Sequence, residues 1–162
     1  MKRVPLLRLV VALLVSSLAL VLTASAGTAA VSSPAIVKVA FNKKLKKSIL
    51  VDARGFTLYL FALDTHGKPT CTDDPSYHCI KAWPALKTAS APHAGAGVRQ
   101  SLLGVAKRTD GGVQVTYNHH PLYYFHGGAD YGAGDKTPGD VDGTGFDGIW
   151  FVVAPDGTPI RF

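Results

Sequence analysis

The residues best able to do chemistry lie in a short pattern that occurs twice. In Thr57-Leu58-Tyr59-Leu60-Phe61-Ala62-Leu63-Asp64, a phenol, an aromatic ring and a carboxylate fall at the end of one apolar run. Leu122-Tyr123-Tyr124-Phe125 repeats the core of it. Two readings follow. In one, Tyr59, Phe61 and Tyr123, Phe125 pack inside while Asp64 accepts backbone N–H groups in the turn that follows. In the other, the phenols and carboxylates line a shared cleft and bind a ligand.

A second candidate is the loop Asp135 to Asp147. Asp140, Asp142, Thr144 and Gly145 have the spacing of positions 1, 3, 5 and 6 of a calcium loop, with oxygens for a hard cation and a glycine for the sharp turn. Position 12 is Phe151 rather than a bidentate glutamate, so a calcium site here is a non-standard one that uses Asp147. The alternative is a solvated Asp/Gly loop built of Asx turns. His120 and His126 are candidates for a transition metal or haem iron, with Asp130 close to His126 in sequence. They stand six residues apart, ~20 Å along an extended strand, too far for one ion. Paired aspartates, Asp64 with Asp130 as the acid/base pair, could in principle cleave glycans, although nothing in the sequence places them at the required separation.

Most enzyme classes find no purchase in the chain. It contains no glutamate at all, which removes any mechanism that needs a glutamate base. There is no Gly-x-Ser-x-Gly elbow, no phosphate-binding glycine loop, no Cys-x-x-Cys and no haem-attachment Cys-x-x-Cys-His. No cofactor is expected, with calcium or a transition metal as the exception the loop and the histidines leave open.

The first residues explain where the protein works. Lys2, Arg3 and Arg8 precede the apolar run Leu9–Leu22, and Ala24-Ser25-Ala26 offers small residues for signal peptidase. That run falls short of the ~20 residues needed to span a bilayer, so residues 1–26 read as a signal peptide, with Ala30 as a competing cleavage point. No cysteine stands near the cleavage region for lipid attachment, and the mature chain has no membrane-spanning segment. Removing three basic residues with the leader lowers the formal net charge from +6 to +3. Four lysines then remain together in Lys43-Lys44-Leu45-Lys46-Lys47, either a solvated turn or protected strand edge or a contact for a cell-wall polymer, a membrane surface or another envelope protein. A nucleic-acid partner is not expected of an exported chain with so few other positive charges.

About 136 residues remain, enough for one domain. Seventeen glycines, ten prolines and few long helix-forming runs favour strands and turns. Residues 27–34 read as a flexible lead-in. A first strand is expected over Ala35–Phe41, then a hairpin of Ile49–Asp52 and Phe56–Ala62 about Gly55. Cys71 and Cys79 are the only cysteines in an exported protein, so a disulfide is expected, worth roughly 2.5 kcal/mol in the chain-entropy account. A zinc site with His66 or His78 is the alternative, although its spacing fits no standard finger. Residues 88–98 form a low-complexity connector, and Arg99–Lys107 reads as a short strand or helical turn. Asp110-Gly111-Gly112 and Asn118-His119 mark hairpin turns, Ile149–Ala154 is a strongly apolar strand, and Pro155-Asp156-Gly157 leads to a last strand, Thr158–Phe162.

The expected fold is therefore all-β or β-rich. It is a single pseudo-symmetric domain over 35–162, built from two related antiparallel β-units at about 48–87 and 100–160 that pack on a common core. Alternation puts Tyr and Phe of each copy on one strand face, and Leu58/Leu60 or Leu122/Tyr124 on the other.

These residues resemble the secreted-repeat lipoproteins, exported proteins with a Tyr-x-(Phe/Trp/Tyr)-x-x-Asp motif. The first copy supplies Asp52, Gly55, Thr57-Leu58-Tyr59-Leu60-Phe61, Asp64, Cys71, Cys79 and Trp83-Pro84; the second supplies Thr116-Tyr117-Asn118, Pro121 to Phe125, Gly148-Ile149-Trp150 and Pro155-Asp156-Gly157. The second copy has Gly128 at the aspartate's place, with Asp130 two positions later, and the lipid-attachment cysteine is missing. The resemblance implies a location and an architecture, not an activity. The function expected is an exported, non-catalytic β-domain that acts at the envelope or outside it by binding or structural interaction. The alternatives are a metal- or haem-binding accessory protein and, more remotely, the glycan hydrolase.

Overall fold

A computed structural model describes residues 34–65, 67–73 and 79–161. The leader and lead-in, and His66 and His78 of the zinc alternative, lie outside the described residues. Ile36–Asn42 (β1) and Lys47–Asp52 (β2) form an antiparallel hairpin in which Val39 pairs with Leu50 and Phe41 with Ser48. The lysine-rich stretch is its turn. Tyr59–Phe61 (β3) follows a bridge between Val51 and Thr57, so the turn around Gly55 forms as expected. Cys79–Ala82 makes one helical turn, tied to the preceding loop by the Cys71–Cys79 disulfide, which displaces the zinc alternative.

The connector holds a surprise: His93–Ala94 (β4) pairs in parallel with β1. Its alanines, glycines and prolines gave no alternation to read. Gln100–Leu102 is a 3₁₀ turn and Leu103–Lys107 (β5) a strand, so both readings of that segment are realised. Val113–Tyr117 (β6) pairs with β5 across the Gly111-Gly112 turn. Asn118 and His119 both take positive φ, 46° and 66°, and deliver His120–Pro121 (β7) back onto β6. That is the twist a two-residue hairpin needs. Trp150–Val152 (β8) pairs with β3, whereas the expected final strand reduces to a single bridge, Val153 to Pro159. No described helix is long and apolar enough to cross a membrane.

Strand alternation sorts the core into two clusters. Tyr59, Tyr123, Phe125, Trp83 and Trp150 lie in one; Leu58, Leu60, Leu122, Val115 and Phe151 lie in the other, with Tyr124 packed against it. The faces read from the two motif copies are therefore the faces observed. The expected packing of one unit on the other takes a different form, because the strands are exchanged. Tyr59 of the first copy pairs with Val152, two residues after Trp150, and Tyr123 of the second pairs with Ala85, two residues after Trp83. Between them Tyr59 and Tyr123 trade both backbone hydrogen bonds, N to O at 2.9 Å each way. Each copy thus completes the other's sheet, which neither is long enough to do alone.

Candidate functional site

The motif hydroxyls cross between the copies. Tyr123 donates to Asp64 Oδ2 at 2.9 Å, and Tyr59 donates to Asp135 Oδ2 at 2.7 Å. The Asp64 N–H bonds the Phe61 carbonyl (3.1 Å), and the Asp135 N–H bonds the Phe125 carbonyl (2.9 Å). Each carboxylate also accepts a backbone N–H from further along its loop: Thr70 for Asp64 and Asp142 for Asp135. Asp135 is therefore the counterpart of Asp64, and Asp130, two positions beyond the motif's spacing, is not; it is exposed on the loop between.

The cause of the misassignment is an insertion. Asp64 stands three residues after Phe61, whereas Asp135 stands ten after Phe125. The extra seven, residues 128–134, leave and re-enter the motif through Gly127 and Gly134. A Cβ on Gly127 would lie 2.2 Å from the Gly132 carbonyl, and one on Gly134 would lie 2.1 Å from the His126 carbonyl carbon. No side chain fits that neck. With 128–134 set aside, the second copy reads Phe125-His126-Gly127-Asp135, the motif's own spacing.

Four rings run through the centre. Phe61 stacks on Trp150 (4.2 Å), Trp150 on Trp83 (3.9 Å, 3° between planes), and Trp83 on Phe125 (4.2 Å). Tyr59 meets Trp83 edge-on at 5.4 Å, as Tyr123 meets Trp150 at 5.2 Å. Such pairs contribute about 0.5–1.5 kcal/mol each beyond burial of area. Gly143 closes the far side; a Cβ there would come within 2.6 Å of the Trp83 ring. Trp83 Nε1 is buried with no hydrogen-bond partner among the described residues, and its ring is held by stacked and edge-on aromatic contacts.

Among the described residues, one side of this stack is uncovered. Phe61, Leu63, Trp83, Ile149, Trp150 and the Cys71–Cys79 bridge line a cleft of about 570 Å³. Tyr131 reaches it from the insertion, and Thr70, Thr72 and Asp147 add polar atoms. Asp147 takes a left-handed conformation (φ 49°, ψ 16°) in the 3₁₀ turn Phe146–Gly148. Aspartate, like asparagine, is among the few residues besides glycine that use this region readily.

Electrostatics differ around the cleft and behind it. Asp64 is raised above the usual carboxylate range by burial, which the Thr70 and Tyr123 hydrogen bonds oppose. Asp135 is pushed up to about 6, first by burial and then by the nearby Asp142 and Asp140 charges, against the pull of the Tyr59 and Asp142 bonds. Both tyrosine hydroxyls are driven well above their ordinary value, chiefly by burial. Behind Tyr123 the buried Arg108 guanidinium pairs with Asp110 and donates to Gln114 Oε1 and the Cys71 carbonyl. On the other face, Asp52 accepts from Arg54 and Tyr124, and Arg54 lies over the Phe56 ring. Arg54 and Arg108 each pair with a carboxylate two residues away, whereas Tyr124 and the Cys71 carbonyl come from distant parts of the chain.

The other candidates are scattered. Asp140 Oδ2 accepts the Lys136 and Thr137 N–H groups and Oδ1 lies 3.2 Å from Lys44 Nζ; these bonds hold its carboxyl down near about 2. Asp142 sits 3.9 Å from the same ammonium, and Asp147 belongs to the cleft. His120 is half-buried in β7 and lowered by that burial and by His119. His126 is exposed and lowered by burial, Lys136 and Arg54. Among the described residues no three His, Cys or Asp side chains gather into a group able to hold a metal ion.

No curated protein and no solved structure matches the chain. Residues 104–154, from β5 past the end of β8, match a lipoprotein family model described as a secreted repeat of unknown function. The match takes in Tyr123, Phe125, the insertion, Asp135 and Trp150. The second motif copy of this chain is thus similar to that secreted repeat.

Proposed function

We propose that the protein is an exported, non-catalytic binding domain working outside the cytoplasm, and that the aromatic cleft is its ligand site. The observation that carries this is the cleft itself, about 570 Å³ lined by the rings the motif brings together. That is the size and lining of a small-molecule site: largely apolar walls with few polar groups to orient the ligand. The motif's phenols and carboxylates support the same reading from the other side. They bond one another and the turns of the fold, so the motif builds the walls rather than supplying reacting groups. Among the described lining residues Asp147 is the one charged side chain. The ligand class it suits is flat and apolar, neutral or cationic. The secreted-repeat match agrees with a place of work outside the cell.

Both tryptophans of the chain line the cleft, so intrinsic fluorescence reports its occupancy directly. Titration with 1-naphthylmethylammonium should give a saturable change, and 1-naphthalenesulfonate a weaker one. Asp147→Asn should narrow the difference by up to about five-fold, the scale of an exposed charge pair. Leu63→Arg, at an exposed wall position, should abolish both responses with the melting temperature unchanged. Absence of a saturable response to either probe defeats the proposal.

A further inference from the structure

The turn between β1 and β2 carries a second, separate signal. Lys43, Lys44, Lys46 and Lys47 sit at this tip, but only Lys44 is paired, with Asp140 and Asp142. Lys43, Lys46 and Lys47 have no ion pair among the described residues. Lys46 holds φ 51°, a left-handed position where glycine or asparagine costs less and lysine about 1 kcal/mol more. Turn geometry therefore does not account for a lysine there.

Protection of a bare strand edge does not account for the cluster either. The outer side of β2 is already engaged: Leu50 N–H bonds the Val153 carbonyl, Leu58 N–H bonds the Leu50 carbonyl, and Val51 bridges Thr57. Beside the lysines stands Phe41, paired with Ser48 near the end of β1 and 64% exposed. It is the most exposed large apolar side chain among the described residues. Lys47 and Arg161 line one shallow groove at the base of the tip, adding a cation from the C-terminal segment.

We infer that this tip docks the secreted protein on an anionic lipid bilayer, with the ammonium groups at the headgroups and the Phe41 ring in the interface. Charge complementarity selects a polyanionic partner, at about a five-fold gain in partition for each lysine near the surface. The exposed ring selects a bilayer over a water-soluble polyanion, because an aromatic gains by entering the boundary between headgroups and acyl chains. Three unpaired lysines alone give marginal binding, and the ring supplies the second signal.

The test is cosedimentation of the secreted protein with vesicles of phosphatidylcholine alone or mixed with phosphatidylglycerol. Binding should appear only with the mixed vesicles and fall as salt is raised. Lys43→Gln and Lys46→Gln should each lower it about five-fold. Phe41→Ser should lower it with no loss of melting temperature, since the ring is outside both core clusters. No binding to mixed vesicles, or equal binding to both kinds, overturns the inference. So does binding that ignores Phe41→Ser and is matched on soluble poly(glycerol phosphate). The cleft does not enter this experiment, so either proposal can fail alone.

Discussion

Asp64 and Asp135 each accept a tyrosine hydroxyl from the other motif copy, yet one lies within reach of a cation and the other among acids. Around Asp64 the Arg108 guanidinium favours the ionised carboxyl, and the Thr70 N–H and hydroxyl add two bonds to that from Tyr123. Around Asp135 the dominant neighbouring charges are Asp142 and Asp140, with Lys44 a weaker influence, and among the described residues Tyr59 and the Asp142 N–H donate. The same turn has been kept in two electrical settings. What the copies share is therefore geometry, and what they do not share is the protonation behaviour of the carboxyl that geometry holds.

Removing one hydroxyl at a time is the strongest way to break this comparison. Tyr59 both donates to Asp135 and accepts the Gly143 N–H (3.3 Å), so Tyr59→Phe leaves a buried carboxyl and a buried N–H each short of a partner. A loss of about 3 kcal/mol is expected in denaturant unfolding. Tyr123→Phe leaves Asp64 with both Thr70 donors, and about 1.5 kcal/mol is expected. Equal losses would mean that the two turns are energetically alike despite their surroundings.

Acidity should separate them next. A carboxyl raised from 3.8 to about 6 binds its proton more tightly folded than unfolded. Its ionised form then opposes folding at neutral pH, and that opposition is lifted as pH falls through 6 toward 4. The unfolding free energy should rise between about pH 7 and about pH 5 by roughly 1.5 kcal/mol, with Asp64 adding in the same direction. Asp135→Asn should flatten most of that slope. Below the unfolded value the trend reverses, because Asp140, Asp110 and Asp156 have lowered values and lose their stabilising bonds on protonation. A midpoint that falls steadily from neutral pH would contradict the setting described for Asp135.

The smallest effect sharpens the comparison. Deleting residues 128–134 joins Gly127 to Asp135 and gives the second copy the first copy's spacing. Because the loop bonds itself, Gly128 N–H to the Gly132 carbonyl at 2.9 Å, the melting temperature should stay within a few degrees. Tyr131 leaves the cleft wall with the loop, so the naphthylmethylammonium response should weaken. Unfolding on deletion would show that the insertion holds the second turn together.

Local pattern was enough for the two faces of the motif strands, the disulfide and the Gly111-Gly112 and Asn118-His119 turns, because each is a matter of neighbours within a few residues. The calcium-like spacing from Asp140 was also genuine as spacing. The oxygens of Asp140 are instead taken up by nearby N–H groups and by Lys44, which is far away in sequence and invisible to it. Asp135 was missed for a related reason: counting three residues from Phe125 assumes an unbroken chain. Gly127 and Gly134, placed at either side of the inserted residues, were the signal that could have exposed the break. The exchange of strands between copies depends on pairings more than sixty residues apart, such as Tyr59 with Tyr123, and nothing local encodes them.

That exchange has a consequence for how the protein is made. A chain synthesised from its N-terminus presents Tyr59, Phe61 and Trp83 long before Tyr123 and Trp150 emerge to cover them. The first half can build the β1–β2 hairpin and close its disulfide, but the ring stack waits for the last strand. Folding must then be late and dominated by distant contacts, which slows it. The interval between the two halves is the period in which the molecule is most open to proteolysis or capture by a chaperone.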